Sequence, residues 1–457
     1  MTVQDTTVDS RADDLRHALG DRIILAADPG YDAARMPWNL AADQRPYAVA
    51  RPVTAEDVVD VVRAAAAAGL RIAPQSTGHA ASALAETDLS DTVLVVLAGL
   101  RGVTVDPVGR TARVLGGSVW NDVIAATAPY GLTALHGSAG NVSVAGYALR
   151  GGVSFYARAH GLAVGAVREV QLVTADGALL RASADEHPDL FWALRGGSGA
   201  FGIVVSLVID LLPYADVFAG FMIWDASHAA EVTRAWAQWT KTVPNSVTTT
   251  LRVLHIPPLP ELPPFLSGRS VVTVDGAILE TDAEAAALLG PLRALQPEVD
   301  MFARIPAAGL LEVHMDPPDP TPAASAHSVL AELPDEAVDA FLAVAGDQGL
   351  FVAELRHLGG ELTRRPHNAG AVGSLQGEYL LHTIAMVMDP AAVIATRQLV
   401  HGHLRALDQW RADALALTFV DGGVNDYSPG YGEALEGLRV IKHQYDPTGV
   451  FASGLPI

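Results

Sequence analysis

Four short stretches of this sequence carry residue types and spacings that can do chemistry. The first is Gln75-Ser76-Thr77-Gly78-His79-Ala80, a run of small residues behind a short apolar segment. Successive backbone N–H groups in such a loop can form a concave nest for a pyrophosphate. On spacing alone, His79 reads as a solvated loop histidine more readily than as a functional one. The second is Ala353-Glu354-Leu355-Arg356-His357. Strand periodicity puts Glu354 and Arg356 on one face and His357 on the other. A carboxylate in a buried strand is costly unless paired or used, so Glu354 reads either as the partner of Arg356 or as a general base. The third is Glu378-Tyr379-Leu380-Leu381-His382. Alternation groups Glu378, Leu380 and His382 and turns Tyr379 away, so Tyr379 and His382 cannot both line one pocket in a regular strand. His382, titrating near neutrality, can take a proton from an alcohol or amine, or it can be a satisfied core histidine. The fourth is Gly197-Ser-Gly-Ala-Phe-Gly202, which matches GxGxxG. A dinucleotide fingerprint must follow a strand and open a helix. Here a helix-like segment, Asp189–Leu194, comes first and a β-branched strand follows, so the motif reads as a glycine-rich turn.

The elements that must position these residues follow from local pattern. Thr54 with Asp57 forms a capping box for an alanine-rich helix over Val58–Ala68, closed by Gly69. Ile72–Pro74, Val93–Leu97 and Thr111–Leu115 read as buried strands, and Ser118 is expected to cap a second helix ending near Gly131. Val167–Thr174 is a strand closed by the turn Asp176-Gly177. His187–Leu194 reads as helix and Ile203–Leu212 as strand. After residue 213 the texture changes. Strand patterns at Phe218–Trp224, Thr248–Leu254, Ser270–Val274, Val352–His357 and Tyr379–Met388 alternate with helices at Ala229–Thr240, Asp282–Leu295, Glu336–Ala345 and Ala391–Trp410. Ile256–Pro264 and Pro317–Pro322 are proline-rich loops. Tyr431–Tyr445 is an amphipathic helix ended by Asp446-Pro447. The order implies an α+β protein with a broad sheet.

Composition narrows the function. The 457 residues include 51 acidic and 30 basic side chains, for a formal charge of −21, which repels nucleic-acid backbones. There is no cysteine, which excludes disulfides, thiolate metal sites and a cysteine nucleophile. No metal site is expected. The polar, acidic N-terminal stretch has no signal-peptide pattern, and no apolar run is long enough to span a bilayer, so a cytoplasmic protein without nucleic-acid or membrane partners is expected.

Four motifs in order resemble the flavin-dependent oxidases of the vanillyl-alcohol oxidase and p-cresol methylhydroxylase (PCMH) superfamily, in the branch of berberine bridge enzyme and bacterial hydroxynicotine oxidases. They are Arg51–Gly69 leading into Ser76–His79; Gly137–Gly152 followed by Tyr156–Ala163; Asp189–Gly202; and Tyr431–Phe451. The resemblance covers nearly the whole chain. It implies a two-domain PCMH-type FAD-binding fold with a substrate domain built on a large antiparallel sheet. Residues 1–212 and 412–457 would form the FAD-binding domain and 213–411 the substrate-binding domain. Gln75, Ser76, Thr77, Gly78, His79 and Ala80 would hold FAD. Gly137, Ser138, Asn141, Ser143, Gly146, Gly151, Gly152, Val204 and Thr418 would also contact it. His79 stands where relatives attach the flavin 8α-methyl group. Ala139 stands where many relatives have a second, cysteine link, so attachment can be at most monocovalent. Ala148 falls where bulk would hinder oxygen.

The implied activity is an oxidase of secondary metabolism. Hydride would pass from an alcohol or amine of a small, natural-product-like substrate to flavin N5, with molecular oxygen as acceptor. Glu354, His382 and Tyr379 are the catalytic candidates, with Tyr427 and Tyr431 further possibilities. Trp224, Trp236, Phe265 and Met301 offer an apolar substrate surface. The chain departs from the family pattern at Gln75, Thr77, Ala145, Arg150, Ser154, Ala416, Thr418 and Ser453–Leu455. Those departures leave open a flavin-containing cyclase or isomerase with no net oxidation, or a flavin-free binding protein. Oligomeric state is not readable.

Overall fold

The computed structural model describes residues 10–258, 260 and 266–457. The remaining residues, which include Phe265 and part of the loop expected at 256–264, lie outside the described set.

The first sheet is built from β1 (Ile23–Leu25), β2 (Ala48–Ala50), β3 (Arg71–Gln75) and β4 (Thr92–Val96) in the order β1-β2-β4-β3. β2, β4 and β3 are parallel. Parallel strands need a crossover, and the helix Ala55–Ala67 between β2 and β3 supplies it. Thr54 accepts from the Asp57 N–H and Asp57 accepts from the Thr54 N–H, the expected capping box. The helix buries Val58, Val61, Val62 and Ala65 at a spacing that makes one continuous face. That face meets Val173, Ile203 and Val205 of a second sheet. This sheet comprises β5 (Val103–Asp106), β6 (Thr111–Leu115), β7 (Val167–Val173), β8 (Leu179–Ser183) and β9 (Ile203–Asp210), in the order β5-β6-β9-β7-β8.

The third sheet takes up β10 (Asp216–Asp225), β11 (Val247–His255), β12 (Ser270–Ile278), β13 (Val299–Asp300), β14 (Ala303–Pro306), β15 (Ala323–Leu330), β16 (Val352–His357) and β17 (Tyr379–Met386). It is antiparallel throughout, in the order β13-β10-β12-β11-β16-β17-β15, with β14 also on β10. One face carries helices, and Trp236, Phe341 and Val400 of those helices lie in one core with Leu251, Leu355 and Leu381 of the strands. All strands of the first two sheets precede residue 212, and all strands of the third fall between 216 and 386.

The chain then returns. The helix Ala434–Tyr445 packs on the helix Pro188–Gly197, and Phe451 bridges in parallel to Ile72 of β3. Asp446 fixes this return. Its buried carboxylate accepts from the N–H groups of Val450 and Phe451 and pairs with Lys442 at 2.5 Å.

Several expectations need correction. Ser118 does not cap the next helix, Trp120–Thr127; it exchanges hydrogen bonds with the Gly102 backbone, and Asp122 accepts from the Val119 N–H instead. Gly290-Pro291 breaks the helix expected over Asp282–Leu295 into Asp282–Leu288 and Gly290–Arg293. β15 was not expected, because its Ala-Ala-Ser-Ala-His-Ser start has weak strand character and only pairing with β17 supplies its hydrogen bonds.

Replacing Asp446 with alanine would leave two backbone N–H groups and Lys442 without their acceptor. A loss of about 2–4 kcal/mol is expected, read as a lower urea midpoint at unchanged slope.

Candidate functional site

A cavity of about 950 Å³ lies between the first two sheets and the free face of the third. Its first wall is the loop after β3. The N–H groups of Thr77, Gly78, His79 and Ala80 donate to no other backbone group among the described residues. Gly78 has φ +79°, and a Cβ there would come within 2.6 Å of Pro37. The loop is held from outside by Trp38, whose N–H donates to the Thr77 carbonyl. The Trp38 ring stacks on His79 at 4.2 Å and 13°. His79 Nδ1 is 2.8 Å from Thr77 Oγ1, and Nε2 is buried without a partner. Burial lowers its pKa to about 4, with the nearby Asn141 and Asp316 opposing, so the ring is neutral at pH 7.

The second wall runs through Gly116, Gly137, Ser138, Ala139, Ser143, Gly146 and Val204. Gly116 and Gly117 let this wall close: a Cβ would fall 2.1 Å from the Val204 carbonyl oxygen and 1.8 Å from that of Leu97, respectively. Thr418, Ser453 and Gly454 complete it.

The third wall is the sheet. Register puts Thr273, Arg252, Glu354, His382 and His327 in one row across β12, β11, β16, β17 and β15. Asp275 and Arg356 lie one step deeper on the same face. Arg252 pairs with Asp275 at 2.8 Å. Glu354, 1% exposed, pairs with Arg356. His314, from the loop before β15, joins the two acids: Nδ1 is 3.0 Å from Asp275 and Nε2 is 3.3 Å from Glu354. Met315 beside it has φ +56°, a conformation a side chain adopts at a cost. Burial opposes ionisation of Glu354, but Arg356 and then His314 outweigh it and hold the carboxyl well below its usual range. Burial and Arg252 oppose protonation of His314, and Asp275 with Asp316 outweighs them and raises its pKa. His382 Nδ1 lies 3.9 Å from Glu354 and makes no hydrogen bond. Burial lowers the pKa of His382 to about 4, so a neutral imidazole stands beside an ionised carboxylate.

Most residues singled out from sequence meet in this cavity. Gln75, Ser76, Thr77, Gly78, His79, Ala80, Gly137, Ser138, Ser143, Gly146, Val204, Thr418, Glu354 and His382 line it, and Asn141 stands behind His79. Others do not. Tyr379 faces the helices, bonded to Thr240 at 2.7 Å and packed on Trp236 and His357, because period two sends it to the opposite side from His382. Gly151 and Gly152 border a separate cavity of about 620 Å³ behind the Gly146 segment, with Tyr431. Ala148 is core. Trp224 and Trp236 are buried against the helices and Met301 faces solvent, so none contributes a substrate surface. Sequence reasoning missed Arg252, Asp275 and His314. An arginine and an aspartate in otherwise apolar strands were the available signal for the first two; His314, in a loop, offered none.

The fit to a dinucleotide can be tested on polar atoms. Trp38 Nε1, Ser76 Oγ, His79 Nε2 and Tyr147 OH are buried without hydrogen-bond partners. Such atoms are rare in folded proteins, and their convergence on one cavity with the free N–H groups of the loop marks a ligand-binding wall. The residues present fit FAD.

Comparison with known proteins agrees. A family model described as "FAD binding domain" matches residues 46–183. The chain is 36% identical over 207 residues to (R)-6-hydroxynicotine oxidase of Paenarthrobacter nicotinovorans, covering 45% of this chain and 44% of that protein. It is 36% identical over 171 residues to xylooligosaccharide oxidase of Thermothelomyces thermophilus, covering 37% and 34%. The alignments thus span less than half the length of these relatives. In fold, the chain is similar to the Physcomitrella patens BBE-like 1 structure, with TM-score 0.84 at 21% identity over 98% of this chain and 99% of that one. It is also similar to 6-hydroxy-D-nicotine oxidase from Arthrobacter nicotinovorans, with TM-score 0.81 at 23% identity over 94% and 96%. Residues 46–183 match an FAD-binding domain, and the chain has the fold of the BBE-like and 6-hydroxy-D-nicotine oxidase structures.

The buried neutral histidines make the fold acid-sensitive. Burial lowers His136 and His382 to about 4 and His327 to about 3. The unfolded chain takes up their protons as pH falls through about 6.5, whereas the folded chain resists until much lower pH. Each should therefore remove about 2 kcal/mol of stability between pH 7 and pH 5. The urea midpoint should fall steeply over that interval, and His136→Gln should flatten the slope.

Proposed function

We propose that the chain is an FAD-dependent oxidoreductase that oxidises an alcohol or amine of a small molecule. The observation that carries this reading is the opposition, across one cavity, of a loop with unused N–H groups and a neutral His79 to a sheet face bearing neutral His382 beside ionised Glu354. Residues 1–212 and 412–457 serve the cofactor and 213–411 the substrate.

FAD, when bound, supplies the acceptor for the substrate's hydride, with molecular oxygen as the final oxidant. The chain's own residues hold and orient. The loop 75–80 would cradle the pyrophosphate. His79, kept neutral by burial against Trp38, would be the attachment point for a single covalent link. His382 takes the proton from the substrate O–H or N–H. Glu354 compensates the charge this creates on the ring. It is not itself the base, because its oxygens are engaged by Arg356 and His314, whereas His382 Nδ1 has no partner. His314, fixed by Asp275, keeps Glu354 in place.

Acid precipitation is expected to leave yellow colour in the wild-type pellet and to release it from His79→Ala. His382→Gln should lower kcat by about 100-fold or more with flavin content unchanged. In the wild type, kcat/KM should be flat above about pH 5. It should fall about tenfold per unit below about pH 4, as His382 becomes protonated. A colourless protein that takes up no FAD, or full activity in His382→Gln, would overturn the reading.

A further inference from the structure

The sheet face that carries the buried charges changes character one step further out. Two residues along each strand from Arg252, Glu354 and His382, the register places Leu254, Val352 and Ile384 side by side. All three line the same cavity as Glu354 and His382. Val271, the β12 partner of Leu254, continues the row and packs with it, and Phe351 and Met386 extend the apolar surface of the cavity. The face is therefore a charged row backed by an apolar terrace, in fixed order along the strands.

We propose that this terrace selects a substrate with one polar reacting group and an apolar body, such as a secondary alcohol or amine on an alkyl or aryl frame, and rejects oligosaccharides. The proposal rests on the oxidoreductase reading above and names its substrate class. The reacting carbon stands at the row of Glu354 and His382, and the body lies outward on Leu254, Val352 and Ile384. A methylene laid on that surface gains transfer free energy with no polar group to satisfy, worth about fourfold in affinity. A sugar ring in the same place would desolvate several hydroxyls against side chains that neither donate nor accept, and each unpaired hydroxyl costs affinity. Oligosaccharide recognition needs hydrogen-bonding side chains spread along the site; those of this face are gathered in the deeper rows, with Ser325 at the β15 end, beside Ile384, the one hydroxyl of the terrace row among the described residues.

The test is calorimetric titration of the purified protein, with its flavin content recorded from the visible spectrum. The probes are 2-butanol, 2-hexanol and 2-octanol, with xylobiose as the sugar. The expected result is about fourfold tighter binding per added methylene and no measurable xylobiose binding. Ile384→Asn should cut the gain per methylene to below about 1.5-fold while leaving 2-butanol affinity within about twofold. Met386→Gln should affect 2-octanol alone. A flat wild-type series, or xylobiose bound more tightly than 2-octanol, would overturn the proposal. The two readings fail separately. A normal series on a protein that holds no FAD, or whose flavin no alcohol bleaches without air, supports the terrace and sinks the oxidoreductase reading. Bleaching by xylobiose with a flat alkanol series does the reverse.

Discussion

Two carboxylates with no access to water, Asp275 and Glu354, set the terms for the rest of the molecule. Neither survives desolvation unless cations meet it at hydrogen-bond distance. Arg252 and Arg356 come from strands, so their reach depends on register. His314 comes from a loop and closes the gap between the two acids. A one-residue slip of β16 would turn Glu354 and Arg356 into the helix-packed core and bring Leu355 into the cavity. The network therefore pins the register of the sheet, and the register in turn fixes what stands beside His382.

The cofactor wall and the substrate sheet are separate structures that must be held at one spacing. Two buried connections do this. Arg158, from the motif after Gly152, donates to the carbonyls of Val247 and Leu358 in the third sheet. Asn39 exchanges hydrogen bonds with the backbone of Ala323 at the start of β15, one residue from the Trp38 that stacks on His79. The histidine and the charged row are thereby referred to the same strands.

The parts of this architecture that were legible in the sequence are those written locally. The helix after Thr54 announces itself through a capping box and an apolar face within a dozen residues. The strand at Val352–His357 declares its two faces by alternation, and that alone separates Glu354 from His357. The site as an assembly was not legible. Arg252, Asp275 and His314 act through partners on other strands, and no local pattern encodes which strands are neighbours. The same limit explains why sequence could not say whether Trp224 and Trp236 face the pocket: bulk and apolarity are visible in sequence, but the face they occupy depends on packing. Gly151 and Gly152 show the complementary case, where motif likeness suggests contact and the backbone path takes them behind the wall.

Phe451 beside Ile72, and Ser453 and Gly454 on the cavity wall, have a consequence for biogenesis. The loop bearing His79 leaves the ribosome well before the segment that seals its sheet. Between them the entire third sheet must be synthesised. A long loop has to close before the nest has its full complement of neighbours, so the wall around His79 is completed only after the third sheet has been made.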